Sequence, residues 1–266
     1  MGQAPPAGYS LLAVFAHPDD ESLASGGLLA RCAAEGVRTS LLCLTRGGLG
    51  ALDDVGRLRM GESRARELQA AARELGIADV TLLDYRNGFL PWVERAELEH
   101  DILSAITRAQ ADVVITFDED GLYWHPDHIV LHERTKATVA RMGEEAPALY
   151  YVSMPKGSMR AAWNAAADGK ACGENGTSVP PVVMGVEVDA FGLFTKPPTL
   201  TLDVSAFAVR KLHALRCHRS QVTGDALDHI PDEAAPCVLG AELYRRADVG
   251  ASRQTFLDRM GSSART

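Results

Sequence analysis

Two short segments of the chain combine histidine and carboxylate side chains at close spacing. Residues 17–21 read His-Pro-Asp-Asp-Glu, and residues 125–128 read His-Pro-Asp-His. Imidazole nitrogens and carboxylate oxygens are zinc ligands, and a catalytic zinc site uses three protein ligands and leaves one position for water. The metal lowers the pKa of that water to about 7, so hydroxide becomes available near neutral pH. The two segments therefore predict a hydrolytic metal centre.

The two segments contain more histidine and carboxylate groups than a three-ligand metal site needs. One histidine and one carboxylate of residues 17–21, with one histidine of residues 125–128, would fill a three-ligand site. A carboxylate and a histidine then remain to transfer a proton and to stabilise an oxyanion. Which of Asp19 and Asp20 binds the metal stays open at this point. Each segment alone also suits a helix N-terminus, where proline and acidic residues are favoured. Their occurrence together, at similar places in the fold, favours the metal site.

The elements that must position these segments are strands and helices in alternation. Apolar runs predict strands, and apolar residues at helical spacing predict helices. The predicted strands are 11–16, 38–45, 80–84, 112–117 and 148–153, and the predicted helices are 22–35, 57–75, 94–110 and 127–142. This order is typical of an α/β, Rossmann-like three-layer fold with a mostly parallel sheet covered on both faces. Both histidine segments directly follow a strand. Because the carboxyl ends of parallel strands share one edge of the sheet, the segments can meet there.

The pattern changes at about residue 155. Residues 1–155 form a Rossmann-like catalytic core in this interpretation, and residues 156–266 form the C-terminal part of the same domain. Residues 156–198 belong to a Gly-, Ala- and Pro-rich stretch that starts at Met154. They predict an irregular lid or specificity region, with 182–188 as a candidate edge strand. A strand at 199–204 and a helix at 205–219, capped by Ser205, give a strand–helix return over 199–221. Residues 242–246 and the tail carry no firm prediction.

Composition narrows the class of protein. The 266 residues are 46% hydrophobic and 23% charged, which is typical of a globular protein with a sizeable core. The net charge of −8 argues against a nucleic-acid partner, because phosphate backbones repel an acidic chain. The five cysteines are odd in number and lack CxxC spacing, which argues against a disulfide scaffold or an all-cysteine zinc site. The first apolar run has six residues, too short for a signal or membrane segment. We expect a cytoplasmic protein without a membrane span.

The two histidine segments, with further motifs, resemble the LmbE-like (PIG-L type) deacetylase family. That family includes the N-acetylglucosaminyl-phosphatidylinositol deacetylases and the deacetylases of the mycothiol and bacillithiol pathways. Similar motifs are Ser-Leu-Ala-Ser-Gly-Gly at 22–27, Leu-Thr-Arg-Gly at 44–47, Arg-Ala-Arg-Glu-Leu at 64–68 and His-Arg-Ser-Gln at 218–221. The resemblance covers residues 10–150 and 200–222.

The resemblance implies roles for individual residues. It implies that the metal ligands are His17, Asp20 and His128. It also implies that Asp19 is the general base and that His125 stabilises the oxyanion and helps the amine to leave. Matched positions in relatives make Arg64 a sugar contact. We add three candidate substrate-binding residues near the predicted site: His218, Tyr123 and Trp124.

Two departures from the family pattern stand out. Relatives have glycine where this chain has Trp124, directly before His125. A tryptophan there could narrow the pocket or offer a stacking face to a sugar. The second departure is residues 154–198, which match nothing in the family pattern, so specificity elements there cannot be transferred.

Other residues give weaker signals. His132 lies four residues after His128 and could face the same side of a helix, but the family does not use it as a ligand. Asp118 and Glu21 are candidates for orienting the ligand histidines, with helix or loop capping as the alternative. The glycine loop at 46–50 lacks the third glycine of a dinucleotide fingerprint, so we reject NAD binding. A phosphate-binding P-loop and a serine nucleophile elbow are also absent from the sequence.

Together these patterns predict a metal-dependent hydrolase that removes an N-acyl group, N-acetyl in the first instance, from an amino sugar or its conjugate. Zinc is the expected cofactor, although Fe²⁺, cobalt or nickel would suit the same ligands. The alternatives are an amidase that cleaves thiol-conjugate, mycothiol-like amides and a non-catalytic sugar-binding protein. A phosphoesterase would need a denser two-metal carboxylate cluster. The expected partner is the small-molecule amino sugar. The sequence also allows a homo-oligomer.

Overall fold

The computed structural model describes residues 8–48, 54–168, 181–194 and 196–262. Three sequence features lie wholly or partly outside these residues: the glycine loop beyond residue 48, Cys172, and residues 169–180 and 195 of the predicted irregular stretch. The strands are β1 Ser10–Phe15, β2 Arg38–Thr45, β3 Asp79–Tyr85, β4 Val113–Phe117, β5 Ala148–Ser153, β6 Val182–Val183, β7 Val186–Glu187, β8 Leu200–Asp203 and β9 Ala241–Gly250. The helices are α1 Asp20–Ala34, α2 Asp54–Leu75, α3 Arg95–Ala109, α4 Gly121–Trp124, α5 Pro126–Arg141, α6 Ser158–Asp168, α7 Ala208–Cys217, α8 Arg219–Val222, α9 Ala235–Leu239 and α10 Phe256–Ser262.

The main sheet has seven strands in the order β3-β2-β1-β4-β5-β9-β8. Strands β1 to β5 are parallel to their neighbours, and β9 is antiparallel to both β5 and β8. Helices α1, α2 and α7 pack together, and α3 packs against α5. Right-handed crossovers place these two groups on opposite faces of the sheet. The predicted α/β three-layer fold with a mostly parallel sheet is confirmed.

The centre of the sheet is buried on both faces. All residues of β1, β4 and β5 are buried, which agrees with their continuous apolar sequences. Strand β1 pairs with β4 on one side and β2 on the other. The segments that follow β1 and β4 therefore leave the sheet side by side, at its carboxyl edge.

The C-terminal part differs from the prediction in four places. Residues 182–188 contain a small hairpin, β6 and β7, that forms its own two-stranded sheet and is no edge strand of the main sheet. Its two turn residues, Met184 and Gly185, both have positive φ, which suits a two-residue hairpin that pairs locally. The irregular region also contains helix α6. The predicted helix at 205–219 begins as a short 3-10 turn, and Ser205 hydrogen-bonds Asp203 and does not cap it.

The fourth difference is strand β9. Residues 242–246 carried no firm prediction, yet β9 runs for ten residues and joins the parallel strands to β8. Its partners lie far away in sequence, so local patterns could not reveal the pairing. Within the part of the chain that the structure describes, no helix is both long enough and apolar enough to cross a bilayer.

Candidate active site

The two histidine segments meet at the carboxyl edge of the sheet, as the sequence predicted. His17 follows β1, and His128 lies in the first turn of α5, which follows β4. Nδ1 of His17 is 3.1 Å from Nε2 of His128. Both side chains are buried.

The hydrogen bonds of the two remaining ring nitrogens indicate that the facing nitrogens, Nδ1 of His17 and Nε2 of His128, carry lone pairs. Nδ1 of His128 lies 3.1 Å from the carbonyl oxygen of Gly121, which can only accept a hydrogen bond. Nε2 of His17 lies 3.1 Å from the carboxylate of Asp127, which also accepts the backbone N–H groups of Gly88 and Leu90. In this assignment of the tautomers both imidazoles donate outward. Two lone pairs then point at each other, an arrangement that only a proton or a cation can stabilise.

Two groups compete to be the third ligand. The carboxylate of Asp20 lies 3.4 Å from Nδ1 of His17 and 3.4 Å from Nε2 of His128. His125 is also near, because ligand atoms of His17, His125 and His128 all lie within 4.8 Å of one another. Either set suits a divalent metal with three protein ligands. Asp20 approaches both inward-facing nitrogens directly, so its position fits the ligand role better.

The charges of this histidine cluster, defined as His17, Asp20, Asp127 and His128, favour a cation. Burial opposes protonation of His17, but Asp127 and Asp20 outweigh it and raise the pKa of the imidazole to about 9. Burial likewise opposes ionisation of Asp20, but the imidazoles of His128 and His17 hold the pKa of the carboxyl well below its usual range. The two carboxylates therefore favour a cation between the imidazoles, and either a proton or a metal ion can take that place.

Asp19 has a different environment from its neighbour Asp20. Burial raises the pKa of the Asp19 carboxyl to about 7, although the Arg64 guanidinium, 2.9 Å away, opposes the rise. A carboxylate with a pKa near neutrality suits a general base. The backbone of Asp19 has φ 114°, which is unusual for a residue with a side chain. Gly47 makes room for Arg64, because a Cβ there would lie 2.4 Å from a guanidinium nitrogen.

A buried pair, Glu21 and His218, lies behind Asp19 and fixes the backbone of Asp19. Glu21 accepts the N–H of Asp19 at 3.0 Å through one carboxylate oxygen. The other oxygen accepts from His218 at 2.7 Å and from the hydroxyl of Ser22 at 2.5 Å. Burial opposes both charges, but mutual attraction lowers the pKa of Glu21 and raises that of His218. Glu21 thus orients Asp19, whereas the sequence suggested that it orients a ligand histidine.

The cavity in front of these groups has a volume of about 240 Å³. It brings together most of the predicted site residues. They are His17, Asp19, Asp20, Arg64, Tyr123 and His125. His128 lies behind them as a fully buried residue.

Two predicted substrate contacts lie elsewhere. His218 is buried against Glu21 and is not among the residues that line the cavity. Trp124 is not among the residues that line the cavity, and its half-exposed ring contacts the ring of Phe194. Nδ1 of His132 donates to the carbonyl oxygen of Phe117 at 2.9 Å. Asp118 pairs with Arg245, and within the described part of the chain it forms no hydrogen bond with a proposed ligand histidine.

The structure also adds residues to the site. Asn87, in the turn after β3, lines the cavity, and within the described residues its Oδ1 accepts no hydrogen bond. The strand-end rule that found the histidine segments could have found Asn87 as well. Gln221 also lines the cavity and belongs to the 218–221 motif. Leu23 lines the cavity as part of the 22–27 motif, whereas Met184, Val186 and Phe191 were not predicted as site residues.

Comparison with known proteins shows which family the chain resembles. The profile of the family described as "PIG-L: GlcNAc-PI de-N-acetylase" matches residues 12–160. The chain is 34% identical to a 1D-myo-inositol 2-acetamido-2-deoxy-alpha-D-glucopyranoside deacetylase of Acidothermus cellulolyticus, over 81% of this chain and 80% of that protein. It is 33% identical to the enzyme of the same name from Actinosynnema mirum, over 95% of this chain and 97% of that protein.

Solved structures share the fold at low sequence identity. The N,N'-diacetylchitobiose deacetylase of Pyrococcus horikoshii superimposes with a TM-score of 0.63 at 20% identity, over 90% of this chain and 83% of that one. GalB, the 4-carboxy-2-hydroxymuconate hydratase of Pseudomonas putida, superimposes with a TM-score of 0.62 at 16% identity, over 93% of this chain and 100% of that one. A deacetylase and a hydratase are both similar, so the fold alone does not identify the reaction.

Proposed function

Because the chain belongs to the GlcNAc-PI de-N-acetylase (PIG-L) family, we propose that it is a metal-dependent hydrolase that removes an N-acetyl group from an amino sugar or an amino-sugar conjugate. One observation supports this most strongly. The inward-facing nitrogens of His17 and His128 and the carboxylate of Asp20 converge beside a cavity that Asp19 also lines. A ligand set and a spare base at one cavity are what amide hydrolysis by a metal enzyme requires.

The proposed metal is zinc, held by His17, Asp20 and His128. When bound, it would polarise the acyl carbonyl and lower the pKa of a water molecule in the cavity. The outward hydrogen bonds of both histidines, to Asp127 and Gly121, orient the rings for this task. Fe²⁺ or another divalent metal would suit the same donors.

Asp19 takes the proton of the attacking water. Its pKa of about 7 suits both this step and the later return of the proton to the leaving amine. Arg64 keeps the carboxylate in place through its 2.9 Å contact. The carbon–nitrogen bond then breaks, and acetate and the free amine leave.

His125 stabilises the oxyanion as a neutral imidazole. Its Nδ1 accepts the backbone N–H of Asp127 at 3.2 Å, so in the neutral ring the proton is on Nε2. Burial and the neighbouring imidazoles of His128 and His17 lower the pKa of His125 to about 4, which favours the neutral form. An Nε2–H group beside the reacting carbonyl is a hydrogen-bond donor of the oxyanion-hole kind.

The proposed substrate class follows from the relatives and the cavity. The curated relatives are named for a glucosaminide of inositol, and we propose an N-acetylglucosaminide as the first substrate to test. Asn87 and Arg64 line the cavity and supply polar contacts for sugar hydroxyls. A thiol-conjugate amidase and a non-catalytic sugar-binding protein are the two alternatives, and a cytoplasmic location completes the proposal.

The test combines metal content with amine release. Purified protein is analysed for bound metal and assayed with N-acetylglucosamine, its inositol glycoside and a thiol-conjugate amide. We expect about one metal ion per chain, amine release from a glucosaminide, loss of activity on chelation and recovery with added zinc. Cleavage of the thiol conjugate alone would identify the amidase. Calorimetric binding of sugar by metal-loaded protein that releases no amine would identify the binding protein.

A further inference from the structure

Three of the residues that line the cavity come from one short segment, residues 184–191, and a fourth packs against them. Met184 and Val186 belong to the β6–β7 hairpin, and Phe191 follows it. The ring centroid of Phe191 is 5.0 Å from that of Tyr123, which also lines the cavity. We call Tyr123, Met184, Val186 and Phe191 the apolar wall.

The proposed reaction determines which part of the substrate faces the apolar wall. Asp19 must reach the leaving nitrogen, and its carboxylate is 2.9 Å from the Arg64 guanidinium, so the amine and its sugar lie on the side of these two residues. His125 donates to the acyl oxygen, and its ring centroid is 5.9 Å from that of Tyr123. The acyl carbon carries the nitrogen, the oxygen and one alkyl group. With the nitrogen turned towards Asp19, the alkyl group faces the apolar wall.

The hairpin turns one face to the cavity and the other to solvent. Val183 pairs with Val186, and Val182 pairs with Glu187. Because side chains alternate along a strand, each pair shares one face of the hairpin. Val183 is fully buried and Val186 lines the cavity, whereas Val182 and Glu187 are exposed. The inner face of the hairpin therefore forms part of the wall of the cavity.

Met184 occupies the tip of the hairpin in an unfavourable backbone conformation. Its φ is 51° and that of Gly185 is 78°, and turns with two positive φ values favour Asn, Asp and Gly. The N–H of Met184 donates to one carboxylate oxygen of Asp225 at 2.6 Å, and the other oxygen accepts the N–H of Leu227 at 3.0 Å. Asp225 thus holds the tip in place. Strained residues persist where the surrounding structure imposes them, and they cluster at ligand sites.

The Met184 side chain separates the cavity from solvent at this tip. Met184 is half-buried and lines the cavity, whereas a Cβ on the adjacent Gly185 would meet no atom within 4 Å among the described residues. The cavity volume of about 240 Å³ is below the roughly 300–1,000 Å³ of sites for drug-sized ligands. Met184 therefore leaves little room for a long alkyl group, and its removal opens a path to solvent.

We propose that Met184 determines the acyl-length specificity of the enzyme, because it closes the apolar wall behind a short acyl group and excludes longer ones. This inference rests on the proposed function. One additional methylene in an apolar pocket changes kcat/KM by about 10–200-fold, so such a wall suffices to make acetyl the preferred group. Asp225 is a positioning residue, since it fixes the tip through the backbone of Met184.

The experiment compares three substrates that differ only in acyl length: the inositol glycoside of N-acetylglucosamine and its N-propanoyl and N-butanoyl analogues. For metal-loaded wild type we expect kcat/KM for the butanoyl compound to be at least about 100-fold below that for the acetyl compound. In Met184→Gly this ratio should fall to about 10-fold or less. Glycine adopts φ 51° without strain, so the variant should fold. Each ratio is measured within one preparation and is independent of the folded or metal-loaded fraction.

Three further variants test the role of the hairpin. Val182→Ala, on the outer face, is the matched control and should keep the wild-type ratio. Met184→Leu retains most of the side-chain volume and should also keep the preference for acetyl. Asp225→Ala frees the tip but leaves the Met184 side chain present, so it should lose part of the preference.

Three results would overturn the proposal. One is an unchanged ratio in Met184→Gly, and another is a wild type that hydrolyses all three substrates equally well. The third is an equal change of kcat/KM for all three substrates in Met184→Gly, because Met184 would then contact the sugar or the inositol. Failure of the proposed function looks different: neither wild type nor Met184→Gly would release amine from any of the three substrates, and this inference would fall with it.

Discussion

The structure contains two clusters of buried charged residues, and the two clusters differ in how their polar atoms are paired. The first is the histidine cluster at the carboxyl edge of the sheet. The second, the Glu242 cluster, consists of Glu242, Lys211 and Tyr244 between α1, α7 and β9. Both place carboxylates out of reach of bulk water, which costs free energy unless partners compensate.

The partners explain the difference. The carboxylate of Glu242 accepts from Lys211 at 2.7 Å, from the hydroxyl of Tyr244 at 2.9 Å, and from the backbone N–H groups of Gly27 and Leu28 at 2.8 Å each. These bonds cap the second half of α1, which is interrupted at Ser25. In the histidine cluster two lone pairs face each other beside a cavity. Burial of charge alone therefore does not identify a reactive site, whereas two imidazole nitrogens that face each other beside a cavity indicate one.

Asp19→Asn should have the largest effect on activity. We expect kcat to fall about 1,000-fold, since a positioned general base contributes roughly 10²–10⁴-fold. Bound metal should remain at the wild-type level, and the free energy of unfolding should change by less than about 1 kcal/mol, because burial already disfavours the charged form. Metal analysis, kinetics and urea unfolding on the same preparation test this. Loss of the metal would mean that Asp19 is a ligand.

Lys211→Met should show the opposite pattern. Removal of one partner of a buried ion pair typically costs 3–5 kcal/mol, so we expect a loss of about 3 kcal/mol in unfolding free energy. The metal-loaded folded protein should keep its kcat. Arg38→Met is the matched control, because Arg38 and Asp79 form a half-exposed pair and its loss should cost under about 1 kcal/mol. Equal costs for both variants would refute the distinction between the clusters.

The third ligand can be identified by two variants. Asp20→Asn should weaken metal binding at least about 100-fold, since loss of an outer partner alone can cost that much. His125→Gln should keep the metal and lose about 100-fold in kcat, the size expected for one oxyanion donor. Competition with a chelating dye measures both affinities. If His125→Gln loses the metal and Asp20→Asn keeps it, the ligands are His17, His125 and His128.

Glu21→Gln should have a smaller effect, because Glu21 touches neither substrate nor metal in the proposed mechanism. Without the charge of Glu21, the hydrogen bonds that its side chain accepts from the Asp19 N–H and from His218 become weaker. We expect kcat to fall about 10-fold with an unchanged KM, since misplacement of a catalytic group by a fraction of an ångström already slows reaction. An equal change in KM and kcat would indicate a structural role only.

The smallest effect concerns a partly buried carboxylate of the antiparallel half. Burial opposes ionisation of Asp258, but bonds from the Thr255 N–H and the Tyr150 hydroxyl, with Arg246 nearby, lower its pKa. A lowered folded-state pKa adds stability above the unfolded value near 4, and this stability is lost as the pH falls below it. Asp258→Asn should therefore cost about 1 kcal/mol at pH 7 and progressively less below pH 4. A cost that is independent of pH would assign the effect to packing.

Much of the parallel half could be predicted because its signals are local. Strands β2 and β5 have the predicted bounds, and β1 and β4 differ from theirs by one residue. Apolar runs and glycine stops act over a few residues, so they can be read without knowledge of the fold. The hairpin β6–β7 was misplaced, because the local pattern did not show that its two short strands pair with each other and not with the main sheet. Strand β9 was missed, since its partners β5 and β8 lie far away in sequence.

The sequence by itself determined the types and order of the reacting groups: two histidine segments, each at the end of a strand in an alternating α/β chain. These features depend on side-chain chemistry and on short-range periodicity. The tertiary structure alone decided which nitrogens face each other, that Glu21 holds Asp19, and that His218 and Trp124 do not line the cavity. Such facts depend on distances between remote segments and on backbone angles, and these are set only when the whole chain packs.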